Sequence, residues 1–416
     1  MASRRIGIFC LPGRGHLYPA IALGKRLKER GHHVIVFNRN ITRGLVKNSG
    51  LAFCSIQYGT VAPGPYPESL ASGIGPNTLN VIYEHSCFVL RGAYEAALNA
   101  KVDCLLVDQG DVATGSIADT LRIPFISLAM FPPVYLGDDT PPFISRWKPG
   151  VSPCMRRRNK RGNDIMRRLL LPLLHLVNEW RQSRGLRPIL DINEAFSKHA
   201  IITQVPDIFD FPRTPKPAHL FYTGPFPPDR FGPAVGFPWD KLNGKPLVYV
   251  TLGTVRNSAE LFSIIASACS RFELQVVISL GGMQLTPDDL HNLPGSPLVV
   301  HFAPQSEVMK RAALTICHGG INTVLGSISS GVPVIVIPIT DDQPGVGARV
   351  EWTGAGLMLP LRRLSCARLE QCIAALLGNP EYRSRTGTMS AAIHRRDGLN
   401  EAAEIVERVL STSPAG

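Results

Sequence analysis

Several short runs in this chain of 416 residues place polar side chains where packing has no use for them. His318-Gly319-Gly320-Ile321-Asn322-Thr323 stands just before a helix-length apolar segment. A helix start offers unpaired N–H groups and partial positive charge, which suits a phosphate. The glycines let a ligand approach the backbone closely, and His318, Asn322 and Thr323 add donors. A plain N-cap would need only Asn322 or Thr323, so the preceding His-Gly-Gly is left for a ligand. Asp341-Asp342-Gln343, after the next apolar run, is equally suited to hold polar groups. Near the N-terminus, Gly13-Arg14-Gly15-His16 follows another apolar run and leaves His16 at the mouth of a glycine loop.

Other chemistries fail on spacing. Leu17 and Tyr18 fall where a dinucleotide fingerprint needs its third glycine, and no acid ends the run Val34–Asn40, so a nicotinamide cofactor is not expected. No phosphate-binding G-x-x-x-x-G-K-[ST] and no G-x-S-x-G occurs. The nine cysteines are odd in number and never in C-x-x-C spacing, which argues against zinc and disulfides and for a reducing compartment. Much of the net charge of +12 sits in Met155–Trp180 and comes with no nucleic-acid signature, so no nucleic-acid partner is expected. Its bland reading is a solvated loop leading into a helix. The sharper one is a patch, Arg156–Arg168, that meets anionic lipid. The longest apolar stretch, Leu169–Val177, contains Pro172 and His175 and falls far short of the ~20 residues a span requires. The expected location is the cytoplasm, with peripheral contact at the inner membrane face under the sharper reading.

The elements that must position these residues alternate between short apolar runs and amphipathic segments. Strands are expected at Ile6–Leu11, His33–Asn38, Leu51–Ile56, Cys104–Val107, Pro124–Leu128, Ile201–Gln204 and Leu220–Thr223. Continuous apolar runs bounded by Gly or Pro suit a parallel sheet covered on both faces. Pro19–Gly31 reads as a helix between the first two. The Pro-rich stretch Phe211–Pro238 breaks the pattern. The alternation then restarts at Leu247–Leu252, Leu274–Leu280, Leu298–Phe302, Leu314–Cys317 and Val332–Ile337. The expected fold is α/β, with two doubly wound, Rossmann-like parallel-sheet domains facing each other. The division is residues 1–225, a linker 226–240 and residues 241–416, the last helix (Glu401–Leu410) being free to pack back across the interface. Ligands bind outside the carboxyl ends of such strands. The loops after five of these runs, carrying His16, Asp108, Gly253-Thr254, His318 and Asp342, would all open on one cleft.

The segment His301–Val350, with "HGGINTVL" and "DQPGVGAR", resembles the nucleotide-sugar signature of the family 1 UDP-glycosyltransferases. "GRGHLYPAIALGKRLKERGHHV" and "VDCLLVDQGDVATGSIAD" fit as well, and the likeness is greatest to the bacterial carotenoid (zeaxanthin) glucosyltransferase branch. The resemblance implies the GT-B fold, with acceptor bound by the first domain and nucleotide-sugar by the second. It implies that His16 is the general base and Asp108 the carboxylate that orients it. Phe302 stands where many members stack a tryptophan on uracil, with Ala303 and Gln305 meeting base and ribose. Thr254, with Gly253 before it, and His318, Gly319, Gly320, Asn322 and Thr323 match the diphosphate contacts. Asp342 and Gln343 match the pair that grips the sugar hydroxyls. Two positions depart from the pattern. Gly326 replaces the acid that holds ribose in plant-type members, leaving ribose to water or Ser327, and Phe302 keeps only an aromatic face.

The chemistry can also be argued from the groups. A hydroxyl is a weak nucleophile near neutral pH and needs a base within hydrogen-bond reach. A histidine held by a carboxylate through its far nitrogen is such a base. One displacement by the acceptor oxygen inverts the anomeric centre through an oxocarbenium-like state. The chain has no Asp-x-Asp to hold a metal, so the leaving diphosphate is expected to rest on the helix start and His318, with no metal and no cofactor beyond the UDP-sugar co-substrate. The expected reaction moves a sugar, glucose first, to a hydroxyl of an apolar molecule such as a terpenoid or carotenoid. The alternatives are a dTDP-deoxysugar transferase of the macrolide or polyketide type and a UDP-sugar epimerase or hydrolase. Phe125–Phe143 and Leu169–Val177 are the candidate walls of an apolar acceptor pocket, with plain core as the competing reading of both.

Overall fold

The computed structural model describes residues 2–56, 76–227, 236–253, 258–281 and 285–412. Its first sheet has seven parallel strands in the order β3-β2-β1-β4-β5-β6-β7. They are β1 (Arg5–Phe9), β2 (His33–Asn38), β3 (Ala52–Ser55), β4 (Cys104–Asp108), β5 (Phe125–Ala129), β6 (Ile201–Thr203) and β7 (Leu220–Tyr222). The crossover helices are α1 (Arg14–Glu29), α2 (Arg43–Asn48), α3 (Pro76–Asn99), α4 (Thr114–Leu121), α5 (Pro153–Leu169) and α6 (Leu171–Ser183). The second sheet runs β10-β9-β8-β11-β12-β13, also parallel. Its strands are β8 (Leu247–Thr251), β9 (Gln275–Ser279), β10 (Leu298–Val300), β11 (Ala312–Cys317), β12 (Val334–Val336) and β13 (Gly356–Met358). Helices α7 (Ala259–Cys269), α8 (Gln305–Met309), α9 (Ile321–Ser329), α10 (Gln343–Thr353), α11 (Cys366–Gly378), α12 (Pro380–His394) and α13 (Gly398–Thr412) complete it.

Strand order decides where a ligand can sit. In the first sheet the direction of winding reverses between β1 and β4, which pair from Ile6↔Cys104 to Phe9↔Val107. In the second it reverses between β8 and β11, paired up to Thr251↔Cys317. A crevice opens at each such switch point, outside the carboxyl ends of the strands. The first-domain histidine opens α1 after the loop that leaves β1, Asp108 ends β4, the His-Gly-Gly run leaves β11, and residues 252–253 leave β8.

Strands buried on both faces explain the unbroken apolar runs that mark them: every residue of β4 and β8 is buried. Two details differ from the sequence expectation. The basic segment is no loop, because Ser152 accepts from the Met155 N–H, Pro153 opens the first turn, and α5 runs on through Arg168. Leu169–Val177 straddles the α5–α6 junction, where Leu169, Leu170, Leu173, Leu174 and Val177 all lie in the first domain's core. That stretch is therefore core rather than pocket wall. Residues 228–235 of the expected linker lie outside the described residues. Helix α13 rests on α1, with Ala402, Ala403, Ile405, Val406, Val409 and Leu410 in one cluster with Leu17, Ile21 and Leu23. Arg30 donates to Glu407 at 2.6 Å across that contact. Nine free cysteines are found, and no described helix is long and apolar enough to cross a membrane.

Candidate active site

Gly13 caps α1 in an extended conformation (φ −64°, ψ 141°), so His16 falls in the first helical turn, directly after the loop that follows β1. Asp108 ends β4 next to it. The His16 Nδ1–H donates to Asp108 Oδ2 at 2.6 Å, which leaves the lone pair on Nε2. Asp108 is fully buried, while the His16 side chain stays a quarter exposed. The other carboxylate oxygen accepts from the Gly110 N–H at 2.9 Å, so the turn-forming role of Asp108 and its hold on His16 coexist in one side chain. Burial would lower the His16 pKa, but the charge and hydrogen bond of Asp108 outweigh it. Asp342 and Asp341 add to that pull, and the imidazole lies above its ordinary value of 6.5.

Those last two acids belong to the second domain, so the cleft brings the two candidate clusters face to face. Asp342 stands at the N-cap of α10 and uses no side-chain cap. Burial first, then repulsion from Asp341, pushes its carboxyl up to about 6, with His16 pulling against them. A carboxylate that basic is a strong hydrogen-bond acceptor. Gln343 accepts from the Ile339 and Thr340 N–H groups at 2.8 and 3.0 Å. Its amide NH2 is then the end left for a ligand. Asp341 takes a left-handed conformation (φ 59°) and accepts from Thr340 and from Thr78 of α3.

The loop from β11 to α9 is shaped around one ring. A Cβ on Gly253 would come within 2.6 Å of the His318 ring, and one on Gly320 within 2.7 Å of it. Gly253 and Gly319 also hold φ of 77° and 97°, which other residues rarely adopt. Nδ1 of His318 is buried without a hydrogen-bond partner. Burial pushes the His318 pKa down to about 4, against a smaller upward pull from Thr251. His318 is thus a neutral donor near neutral pH and supplies no net charge for a diphosphate.

Asn322, expected as a phosphate donor, spends its side chain between the domains. Its NH2 donates to the Gly15 carbonyl at 2.8 Å and its oxygen accepts from Gln204 at 2.8 Å. Thr323 sits half-buried on the first turn of α9. Phe302 and Ala303 follow β10, and Gln305 opens α8. A Cβ on Gly326 would stand 3.8 Å from Gln305 Nε2, so that amide borders the space freed by the missing acid. Ser327 does not, because it is fully buried, with its hydroxyl donating to the Val332 carbonyl and sharing a second hydrogen bond with the Thr315 hydroxyl. Thr254 lies outside the described residues.

Other participants take their individual roles from the fold, two of them, Phe131 and Phe143, within the segment expected to wall an acceptor pocket. Phe131, just after β5, meets His16 edge-on at 5.5 Å and leads to Phe143 at 5.8 Å. Arg14, the first residue of α1, lays its guanidinium over the Phe302 ring at 5.2 Å. Gln204, just after β6, is visible only through the fold. The arrangement can deprotonate a hydroxyl at His16, with the Phe131 ring on one side and the acids Asp341 and Asp342 of the second domain near it.

Residues 239–407 match the profile described as UDP-glucoronosyl and UDP-glucosyl transferase. Residues 13–88 match the glycosyltransferase family 28 N-terminal domain. The chain is 29% identical to a zeaxanthin glucosyltransferase of Pantoea ananas, over 96% of this chain and 95% of that one. Among solved structures it resembles the glycotransferase of kitacinnamycin, with a TM-score of 0.78, 20% identity, and 99% and 100% of the two chains covered. It also resembles the glycosyltransferase VinC in complex with dTDP, with a TM-score of 0.69, 18% identity, and 98% and 99% covered. At those identities the two structures speak for the shared GT-B fold.

Proposed function

The chain belongs to the family 1 UDP-glycosyltransferases and is a sugar-transferring enzyme, and from that premise we propose that it moves a hexose, glucose first, from a UDP-sugar to a hydroxyl of an apolar small molecule with inversion. The observation that carries this reading is the 2.6 Å pair of His16 and the buried Asp108 across the cleft from Asp342. The acceptor hydroxyl enters past Phe131 and gives its proton to His16 Nε2 as its oxygen bonds to the anomeric carbon. The bond to the diphosphate oxygen breaks in the same displacement. Asp108 holds the imidazole in place and stabilises the imidazolium that forms. Asp342 and Gln343 take the sugar hydroxyls. The recess at the start of α9 takes the diphosphate through backbone N–H groups and His318, and Gln305 meets the ribose above Gly326. No metal and no bound cofactor enter this scheme.

The apolar acceptor rests on the Phe131–Phe143 wall and on the named activity of the Pantoea relative, for which a terpenoid or carotenoid alcohol is the natural class. Exposed Arg156, Arg157, Arg161 and Arg168 on α5, with exposed Met155 and Ile165, would bring the enzyme to the anionic membrane face where such alcohols dissolve. A dTDP-sugar is the second reading, favoured by the loss of the ribose-binding acid at Gly326 and by the dTDP bound to VinC.

The test is nucleotide release from UDP- and dTDP-sugars against terpenoid, carotenoid and phenolic alcohols, with and without EDTA. Release that depends on an acceptor, prefers UDP and ignores EDTA is the expected result. Release without acceptor would turn the reading to a hydrolase, and conversion of the UDP-sugar without release to an epimerase. Strict need for Mg²⁺ or Mn²⁺ would overturn the metal-free account.

A further inference from the structure

The leaving diphosphate needs positive charge, and the groups described so far at the cleft do not supply it permanently. Asp108, Asp341 and Asp342 are acids, and His318 is neutral near neutral pH. Arg349, on α10, is fully buried and committed to Asp210 at 2.8 Å. His16 must be neutral at the outset to act as the base, so its charge arrives only as the reaction proceeds. Arg14 is different. It is exposed and always charged. Its described contact is with the Phe302 ring, at 5.2 Å from guanidinium to centroid. The next residue, Gly15, presents its carbonyl to Asn322 on the first turn of α9 at 2.8 Å. The residue after Arg14 thus already touches the first turn of α9.

We propose that Arg14 is a substrate-binding residue that leaves the Phe302 ring when a nucleobase stacks there and swings onto the diphosphate, supplying the permanent positive charge of the donor site. This rests on the reading of Phe302 as the base platform and of the α9 start as the phosphate recess. An aromatic ring attracts a guanidinium when its face is otherwise bare. A stacked base covers that face, and the planar guanidinium then finds in phosphate a partner it can bind through two parallel hydrogen bonds. Departure of the diphosphate builds negative charge in the transition state, so the same contact favours bond breaking as well as binding.

Titration of UDP, dTDP and uridine into the native protein and into Arg14→Gln and Arg14→Lys, by calorimetry, separates the roles. The expected result is UDP affinity lower by roughly tenfold or more in Arg14→Gln, a loss on the scale of a charge-assisted hydrogen bond. Partial recovery is expected in Arg14→Lys, and uridine affinity unchanged or raised in both. Equal losses for UDP and uridine would mean that Arg14 only shapes the base platform, and unchanged UDP affinity would mean a solvent-exposed arm; either overturns the proposal. Failure of the native protein to bind UDP or dTDP would instead overturn the donor reading on which it rests.

Discussion

At the scale of residues, two neighbouring loops hold the reaction, and each side chain there has a measurable consequence. Replacing His16 with Ala removes the base and should lower kcat by roughly 10²–10⁴, with UDP affinity, measured by calorimetry, nearly unchanged. Normal turnover in that variant would refute the mechanism. The pH profile carries a further sign. The base must be neutral to act, and the Asp108 charge holds the His16 pKa above 6.5. The acid limb of kcat/KM should therefore lie above pH 6.5 and fall as His16 protonates. Asp108→Asn removes the largest upward pull and leaves the burial that lowers the pKa. Its limb should move to lower pH while kcat drops, by less than for His16→Ala. A limb that stays in place would assign it to another group, the first candidate being the Asp342 carboxyl near 6. Such residues were legible in the sequence because their chemistry requires particular types at particular strand ends. Arg14 was not, since an arginine in a glycine loop has no meaning until Phe302 of the other domain is placed above it. Ser327 was misjudged for the opposite reason: its offset from Gly326 suits a ribose contact, but the helix turns it into the core.

At the scale of elements, most strands were legible because burial on both faces forces unbroken apolar runs between Gly and Pro. Strand β2 coincides with its expected span and β4 extends it by one residue. The strand β13, Gly356–Met358, was missed: at three residues between glycine and proline it has no periodicity, and pairing with β12 alone creates it. Helix α5 was hidden by charge. Its buried face is made of Asn159, Gly162, Asn163, Met166 and Leu169, too polar to read as an apolar stripe. Those asparagines donate to the Asp139, Gly137 and Thr140 carbonyls, tying α5 to the loop that leads to Phe143. The structure also sorts its arginines. Arg158 lies on the Trp147 ring at 5.0 Å and donates to the Lys148 carbonyl at 2.8 Å, so it is structural. Arg157, Arg161 and Arg168 are exposed and belong to the proposed lipid-facing side. Each basic residue near an anionic surface contributes about 1 kcal/mol. Reversing these three to Glu should weaken binding to anionic vesicles by at least roughly two orders of magnitude in cosedimentation. Transfer to a bilayer-dissolved alcohol should slow with it, while a water-soluble phenol should be spared. Equal slowing on both acceptors, or native protein that ignores vesicles, would return the face to a merely solvated one.

At the scale of the whole molecule, the cleft works only while the two sheets hold one relation, and besides the bonds of Asn322 to Gly15 and Gln204 a second set of contacts fixes it. A Cβ on Gly345 of α10 would come within 1.7 Å of the Phe143 carbonyl, so helix and acceptor loop are in direct backbone contact. Behind them Arg349, fully buried, donates to Asp210 at 2.8 Å and to the Gly345 carbonyl at 3.0 Å, with Phe211 under its guanidinium at 4.2 Å. Asp210 also accepts from the Tyr222 hydroxyl at 2.6 Å and lies 3.6 Å from Arg213. Burial would raise its carboxyl pKa, but the Arg349 and Arg213 charges and the Tyr222 hydrogen bond hold it below the usual range. A depressed folded-state pKa contributes stability that is present above the unfolded pKa and is lost as pH falls through the folded one. The interface should therefore hold at neutral pH and loosen only in acid, well below the pH at which His16 titrates. Asp210→Asn leaves Arg349 buried without its anion and should cost about 3–5 kcal/mol, read as a lower urea midpoint. Because α10 carries Asp342 and Gln343 at its start, the same variant should raise the donor KM more than it lowers kcat. Combining it with Arg349→Met removes the stranded charge and should recover part of the stability. If the double variant is as unstable as the sum of the singles, Asp210 and Arg349 act independently, and the pair is not what holds α10 against the first domain.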